Sequence, residues 1–349
     1  MGKIKILNPG MMTTVQDLGR IGYQQFGVSV SGAMDQIAAI LANVLVGNKD
    51  NEGLLEVTIM GPKIEFQDTC LVAITGGDLQ PLINNNPIDM NKSVKANKGD
   101  ILSFRGIKKG CRSYIGFSGG IDVPVVMGSK STFLKAKIGG FEGRVLKAND
   151  ILSIGNINTS INDLSGIQVP ADFYNYGGKN IELRMVLGPQ DDYFSQEGIE
   201  TLFSSEYVVT NNSDRMGYTL EGPLIKHKEG ADIISDGISM GAVQVPNKGT
   251  PIIMMADRQT TGGYTKIGNI ITADLPKVAQ AKPGDKIRFK KSSIEEAQDS
   301  IKELQNKFLQ LDKEIKRQKE SKREIIKTSN WDIKVNGISY SVKVEELKN

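Results

Sequence analysis

Leu71-Val72-Ala73-Ile74-Thr75-Gly76-Gly77-Asp78 is an apolar run that stops abruptly at a glycine pair and an acid. Roughly 20 residues further on comes Lys98-Gly99-Asp100-Ile101-Leu102-Ser103-Phe104. The couple recurs in kind. Pro251-Ile252-Ile253-Met254-Met255-Ala256-Asp257 is followed at a similar distance by Pro283-Gly284-Asp285-Lys286-Ile287-Arg288-Phe289, and Arg20-Ile21-Gly22-Tyr23 is echoed by Arg215-Met216-Gly217-Tyr218. Such self-similarity marks a duplicated architecture. Two related β-rich halves are predicted, at about 1–175 and 180–290. Short strands with Gly, Asn, Asp and Pro between them fill the intervals: 4–7, Leu54 to Val57, Lys63 to Phe66, Leu71 to Thr75, Pro81 to Ile83, Ile101 to Phe104, Arg112 to Phe117 and Ile181 to Leu187. Even spacing of this kind argues for a mainly β barrel or sandwich and against a parallel α/β sheet.

Three segments depart from that pattern. Ser31-Gly32-Ala33-Met34-Asp35 opens a helix with Ser31 as its expected cap, Asp35 in the first turn, and Ile37, Leu41, Val44 and Leu45 as its apolar face. After Phe289, Ser293 and Glu296 form a capping box at the start of a helical segment, 291–327. There Ile294, Ala297, Ile301, Leu304, Phe308, Leu311 and Ile315 recur at alternating spacings of three and four, a narrow seam that either pairs with a second helix, which its narrowness favours, or folds onto the core. Residues 328–349 read as a β-hairpin turning at Asn336-Gly337.

Composition narrows the function. The 349 residues carry 43 Lys and Arg against 40 Asp and Glu, a net charge of +3, which is no basic footprint for nucleic acid. No apolar run approaches the ~18 residues that a spanning helix needs, and no signal-peptide pattern precedes the first strand, so a soluble cytoplasmic protein is expected. Cys70 and Cys111 are far apart and lack metal-ligand spacing. The single histidine, His227, lies in the charged stretch Ile225-Lys226-His227-Lys228, which disfavours a histidine metal site or a Ser-His-Asp triad.

Chemistry concentrates where a strand gives way to Asp257-Arg258-Gln259-Thr260-Thr261-Gly262-Gly263-Tyr264-Thr265-Lys266. Here a carboxylate, a guanidinium, an amide, hydroxyls, a phenol and an ammonium surround two glycines that permit close backbone approach. A second polar cluster runs from Gln16 and Asp17 through Arg20 to Tyr23. Gly128-Ser129-Lys130-Ser131-Thr132 lacks the spacing of a nucleotide phosphate loop but offers hydroxyls and a cation for a looser anion site.

Taken in order, Gln16 to Arg20, Ser31 to Asp35, Gly128 to Thr132, Gly139 to Arg144, Arg215 to Tyr218 with Glu221-Gly222-Pro223, Gly241 to Pro246, and Asp257 to Tyr264 resemble the family of biotin-dependent carboxyltransferases and 5-oxoprolinase C subunits. That family includes allophanate hydrolase subunit 2 and an antagonist of a sporulation-kinase inhibitor. The resemblance covers about residues 3–290. It implies a cyclophilin-like β-barrel in each half and two partner chains, the Kip-inhibitor-like B subunit and the A subunit of 5-oxoprolinase. The implied activity is ATP-dependent 5-oxoprolinase: the B and C subunits phosphorylate 5-oxoproline, and the A subunit opens the activated ring to L-glutamate. ATP with magnesium would then sit at the complex with the B subunit. The alternatives are carboxyl transfer from carboxybiotin to urea or an acyl substrate, and a non-catalytic antagonist of a Kip-inhibitor-like regulator.

The resemblance and the residue types together nominate Asp17, Arg20, Arg215, Asp257, Arg258, Gln259, Tyr264 and Lys266 for catalysis. Gln16, Tyr23, Ser31, Ser129, Lys130, Ser131, Thr132, Gln244, Thr260, Thr261, Gly262 and Gly263 are nominated for binding. Lys130 stands where the family usually has arginine, and Thr265 where proline is usual, which predicts a looser loop. The terminal hairpin resembles the first strands of a biotinyl domain, but no Met-Lys-Met follows, so no biotin is expected on this chain. The narrow 294–315 seam suits a homo-oligomer. The two-half reading sets Arg20 and Arg258 around one shared cavity.

Overall fold

The structure is a computed structural model that describes residues 2–156, 160–170, 172–176, 178–322, 325–336 and 338–347; for 325–327 and 345–347 it describes the backbone alone. Alternating apolar residues along the first strands drive two antiparallel sheets together. One has seven strands, including Gly2–Asn8, Lys63–Phe66, Ile101–Phe104 and Ile151–Ile154. The other has five: Met12–Gln16, Leu54–Thr58, Lys109–Phe117, Cys70–Asp78 and Ser93–Ala96. Ile4, Ile6, Val57, Phe66, Val72, Ile74 and Phe117 fill the space between them. The first member of the sequence echo, Cys70–Asp78, is thus a central strand paired on both sides.

The second half closes on itself. Asn180–Leu187, Lys266–Ile270, Ala242–Gln244, Ile252–Met254, Gly217–Glu221, Glu206–Ser213 and Lys286–Lys291 form a closed seven-stranded barrel. Its one parallel seam joins Asn180–Leu187 to Lys286–Lys291. Closure leaves no unpaired barrel edge. A two-stranded ribbon, Asp232–Gly237 with Thr261–Tyr264, runs into the barrel strand Lys266–Ile270 through Thr265 alone.

Sequence and structure differ at the first helix. It spans Gln36–Leu45, and its cap is Asp35, whose side chain accepts a 2.9 Å hydrogen bond from Ala38 N. Ser31 is left-handed at φ 58° and caps nothing. Asp35 has the extended backbone of a cap directly before the first turn, whereas Ser31 stands five residues before the helix. Ile37, Leu41 and Leu45 are buried as their spacing predicts. Met34, just before this helix, packs into the core of the barrel instead of the first half.

The long helix spans Ile294–Glu320 and carries the predicted capping box. Its seam does not await a second helix. Leu304, Phe308, Leu311 and Ile315 lie against Ile37, Leu41, Leu45, Leu71 and Phe173 within the same chain. The oligomer expected through this seam is therefore corrected: an a/d stripe cannot distinguish a partner helix from the chain's own apolar surface. The hairpin pairs Ile325–Val335 with Ile338–Leu347 and turns through Asn336 at φ 50°; Gly337 lies outside the described residues. No described helix is long and apolar enough to cross a membrane.

Candidate functional site

The nominated residues divide into two groups with different surroundings. The first group is a buried polar network that fastens the halves together. Asp17 accepts from Gly19 N at 2.8 Å, Ser129 Oγ at 2.7 Å, Lys130 N at 2.6 Å and Ser131 Oγ. Arg20, fully buried, donates through Nη2 to the Ser131 carbonyl, while Nε and Nη1 have no hydrogen-bond partner. Burial lowers the Arg20 pKa, against the opposing charges of Asp17 and Asp257. Gln16 Nε2 reaches the Thr14 hydroxyl at 3.0 Å and the Thr132 carbonyl at 3.2 Å. Ser31 Oγ lies 2.6 Å from Asp257 Oδ1 and 2.9 Å from Thr132 O.

Arg215 is the centre of this network. Its Nε and Nη2 grip Asp257 as a fork at 2.9 and 3.0 Å, Nη1 pairs with Glu56, and Nη2 also donates to Gly32 O at 2.7 Å. Burial opposes the Arg215 charge, but Asp257 and Glu56 outweigh it and raise its pKa. A charge so enclosed has no free face for a substrate. Asp17, Arg20, Arg215 and Asp257 thus lie in a buried hydrogen-bonded network and not along the cavity wall described below. An Asp beside an Arg in a glycine-rich loop reads the same whether the pair faces a ligand or a second domain.

Lys130 is likewise engaged. Its ammonium pairs with Glu52 and lies 3.2 Å from Ile121 O. Thr265 is hydrogen-bonded through both its backbone N–H and its side chain. Its N donates to Ala231 O at 2.9 Å, a bond that proline would forbid, and its hydroxyl lies 3.1 Å from His227 Nε2. His227 is half-buried against Phe194, not solvated, and burial lowers its pKa despite the Val245 carbonyl.

The second group lines a cavity of about 710 Å³ at the mouth of the barrel. Arg258, Thr260, Thr261 and Lys266 are the nominated residues it brings together. Only Gln24 and Gln25 come from the first half, so that half's loop contributes its amides and not Arg20 or Tyr23. Arg20 and Arg258 are held in one region, since Ser29 Oγ bonds Arg258 O at 2.7 Å, yet the cavity opens to Arg258 alone. Gln244 sits across the ladder from Lys266, its buried Nε2 without a partner. A β-carbon on Gly262 would lie 2.7 Å from Ile238 Cδ1, 3.0 Å from Gln244 Nε2 and 3.4 Å from Gln259 Nε2, so the glycine lets these three side chains crowd the ribbon backbone. Tyr264 and Gly263 lie on the ribbon, where Tyr264 is exposed opposite Asp232.

Sequence reading misses Asp236, Gln190 and Asn269. Lys266 Nζ pairs with Asp236 Oδ2 at 2.9 Å, and Gln190 Nε2 reaches the same oxygen at 3.3 Å. Lys266, chiefly, and the Gly237 N–H hold the Asp236 carboxyl below its ordinary range. Asp236 and Gln190 stand 30 and 76 positions from Lys266. No local motif signals a partner that barrel closure alone supplies.

With this geometry in hand, the class is plain. Residues 26–291 match the family described as carboxyltransferase domain, subdomain A and B, and the chain belongs to that family. Among curated proteins it is similar to the C subunit of 5-oxoprolinase from Escherichia coli, at 38% identity over 308 residues, 88% of this chain and 97% of that one. It is also similar to urea amidolyase of Lachancea kluyveri, at 36% identity over 86% of this chain but 17% of that protein. Among solved structures, K. lactis urea amidolyase superposes with a TM-score of 0.81 at 32% identity, covering 87% of this chain and 20% of that one. Its relatives are thus enzyme subunits or parts of multidomain enzymes.

Proposed function

We propose that this chain is the C subunit of an ATP-dependent 5-oxoprolinase, acting with a B subunit to activate 5-oxoproline for ring opening by an A subunit. The observation that carries the reading is the match to relatives of that name over nearly their whole length, where urea amidolyases match over a small part of theirs. The cavity suits the chemistry. Lys266 and Asn269 on one barrel strand, with Arg258 beside them, place N–H donors along its wall, the kind of arrangement that stabilises negative charge growing on a carbonyl oxygen.

Magnesium-bound nucleotide does not fit this cavity. Two cations against one carboxylate line it, too little positive charge for a triphosphate, and among the described residues no cluster of acidic, histidine or cysteine groups gathers to hold a metal. We infer that ATP with magnesium sits at the complex with the B subunit. Free, buried Cys70 and Cys111 accord with a reducing cytoplasm.

A carboxyltransferase acting on urea is the second reading, favoured by the superposition on urea amidolyase. Reconstitution separates the two. With both partner chains present, 5-oxoproline should become glutamate only when ATP is supplied, and Lys266→Met should slow that conversion about a hundredfold or more with the melting temperature little changed. An undiminished rate in Lys266→Met rules out the site. Carboxylation of urea, with 5-oxoproline inert, favours the second reading.

A further inference from the structure

The terminal hairpin carries an apolar face in contact with water. Its strands, Ile325–Val335 and Ile338–Leu347, pair with each other and with no other described strand. Residues opposite one another on an antiparallel ladder share a face. The register sets Ser329 against Val344, Trp331 against Val342, Ile333 against Tyr340 and Val335 against Ile338. All but Ser329 are apolar, and none carries a charge. Asp332, Lys334 and Ser341 stand on the reverse face, where the Ser341 hydroxyl donates to Asp332. Trp331 is 60% exposed, and Ile333, Val335, Ile338, Tyr340 and Val344 are exposed with it. None of these side chains belongs to the hydrophobic cores of the two halves.

A lone two-stranded hairpin is marginal in water and holds when a face is packed. At about half exposure, two aromatics and four aliphatics leave on the order of 400 Å² of apolar side chain wet, counting roughly 200 Å² for a whole aromatic and roughly 100 Å² for a whole aliphatic. A patch of that size marks an interaction site. Two copies laid face to face would remove about 800 Å², the small end of specific interfaces and enough for a weak, reversible dimer. A face without charge meets its own copy without burying an ion. The side-chain sizes suit this too. With a two-fold axis through the middle of the face and the strands antiparallel, the Trp331–Val342 rung of each copy lies over the Ile333–Tyr340 rung of the other. A partner common to the family is a poorer occupant, because the hairpin lies outside the matched residues 26–291.

We propose that the hairpin is a dimerisation element, its Trp331–Ile333–Tyr340 face packing on the same face of a second copy of this chain to close a four-stranded sandwich. The inference is independent of the reaction assigned to the chain. It is also independent of the seam on Ile294–Glu320, which is filled within one copy.

Trp331 is the only tryptophan in the sequence, so its emission reports on this face alone. Sedimentation equilibrium of the full chain, from about 1 to about 200 μM, should show monomer passing to dimer with a Kd on the order of 10 μM. Trp331 emission should move to shorter wavelength over the same range. Ile333→Glu should weaken the dimer about a hundredfold or more by setting a carboxylate against apolar rings, and its emission should stay that of an exposed indole. Lys334→Glu, on the reverse face, should leave both readings unchanged. A wild type that stays monomeric with exposed emission overturns the proposal without any variant, so a folding failure in Ile333→Glu leaves it testable. A monomer whose emission already lies at short wavelength at the lowest concentration also overturns it, the face then being covered within one chain. A dimer that leaves the emission unchanged, survives in Ile333→Glu or is lost in Lys334→Glu has its interface elsewhere, and the proposal falls.

Discussion

Asp35 shows how one side chain's surroundings set a measurable property of the fold. Its Oδ1 caps the first helix, and its Oδ2 accepts from Gln280 Nε2 at 2.9 Å, across from the second half. Burial raises its pKa from 3.8 to about 7; the Ala38 N–H, Gln280 and Tyr176 oppose the rise, and the Glu56 charge adds to it. The sign of the linkage follows. The folded chain keeps this proton up to about pH 7, whereas the unfolded chain releases it near 4, so the Asp35 contribution to stability falls as pH rises between those values. Asn caps helices as well as Asp does, and its amide holds no titrating proton. In Asp35→Asn that decline should therefore vanish from denaturation midpoints recorded between pH 4 and 7, and an unchanged slope would show that another group titrates. Residues of this kind are the least legible in the sequence. Asp35 reads as part of a helix's first turn, but that Gln280, 245 positions away, lies against its carboxylate is information only the tertiary fold contains.

At the scale of elements, period decides most of what the sequence reveals. Two-residue alternation locates Lys63–Phe66, while Leu54–Thr58 and Lys109–Phe117, buried on both faces, read as short runs bounded by turn residues. The seam of Ile294–Glu320 is also legible as a pattern, though its occupant is not. Since Leu311 is buried against the first half, Leu311→Ala should cost about 2–5 kcal/mol of global stability, measured by urea denaturation. A loss that appears only as a change in oligomeric state would show the seam facing another chain after all. The ribbon carrying Thr261–Tyr264 reads as a functional loop from its residue mixture, and part of it does line the cavity. Which of its side chains turn inward depends on the register with Asp232–Gly237, and that register carries a shift no local signal announces.

Across the whole molecule, two of the residues nominated as catalytic, Arg215 and Asp257, tie one half to the other. Arg215 from the second half joins Glu56 from the first, and Arg112 returns the gesture through Tyr218 and a 2.6 Å bond to Ala279 O. Breaking a buried pair strands a charge and costs about 3–5 kcal/mol. Arg215→Met should lower the stability of both halves together in one calorimetric transition. Two separated transitions in the wild type would mean that the weld couples nothing. The sequence echo makes two halves visible; that they share structure is not visible, because contacts between duplicated units leave no periodic trace. Met34 makes the same point with an apolar side chain. The barrel fills part of its interior with a thioether lent by the chain's other end, so it is no detachable module. Anyone grafting this barrel onto a relative must carry residues 31–36 along as its stopper, or accept an interior open to water.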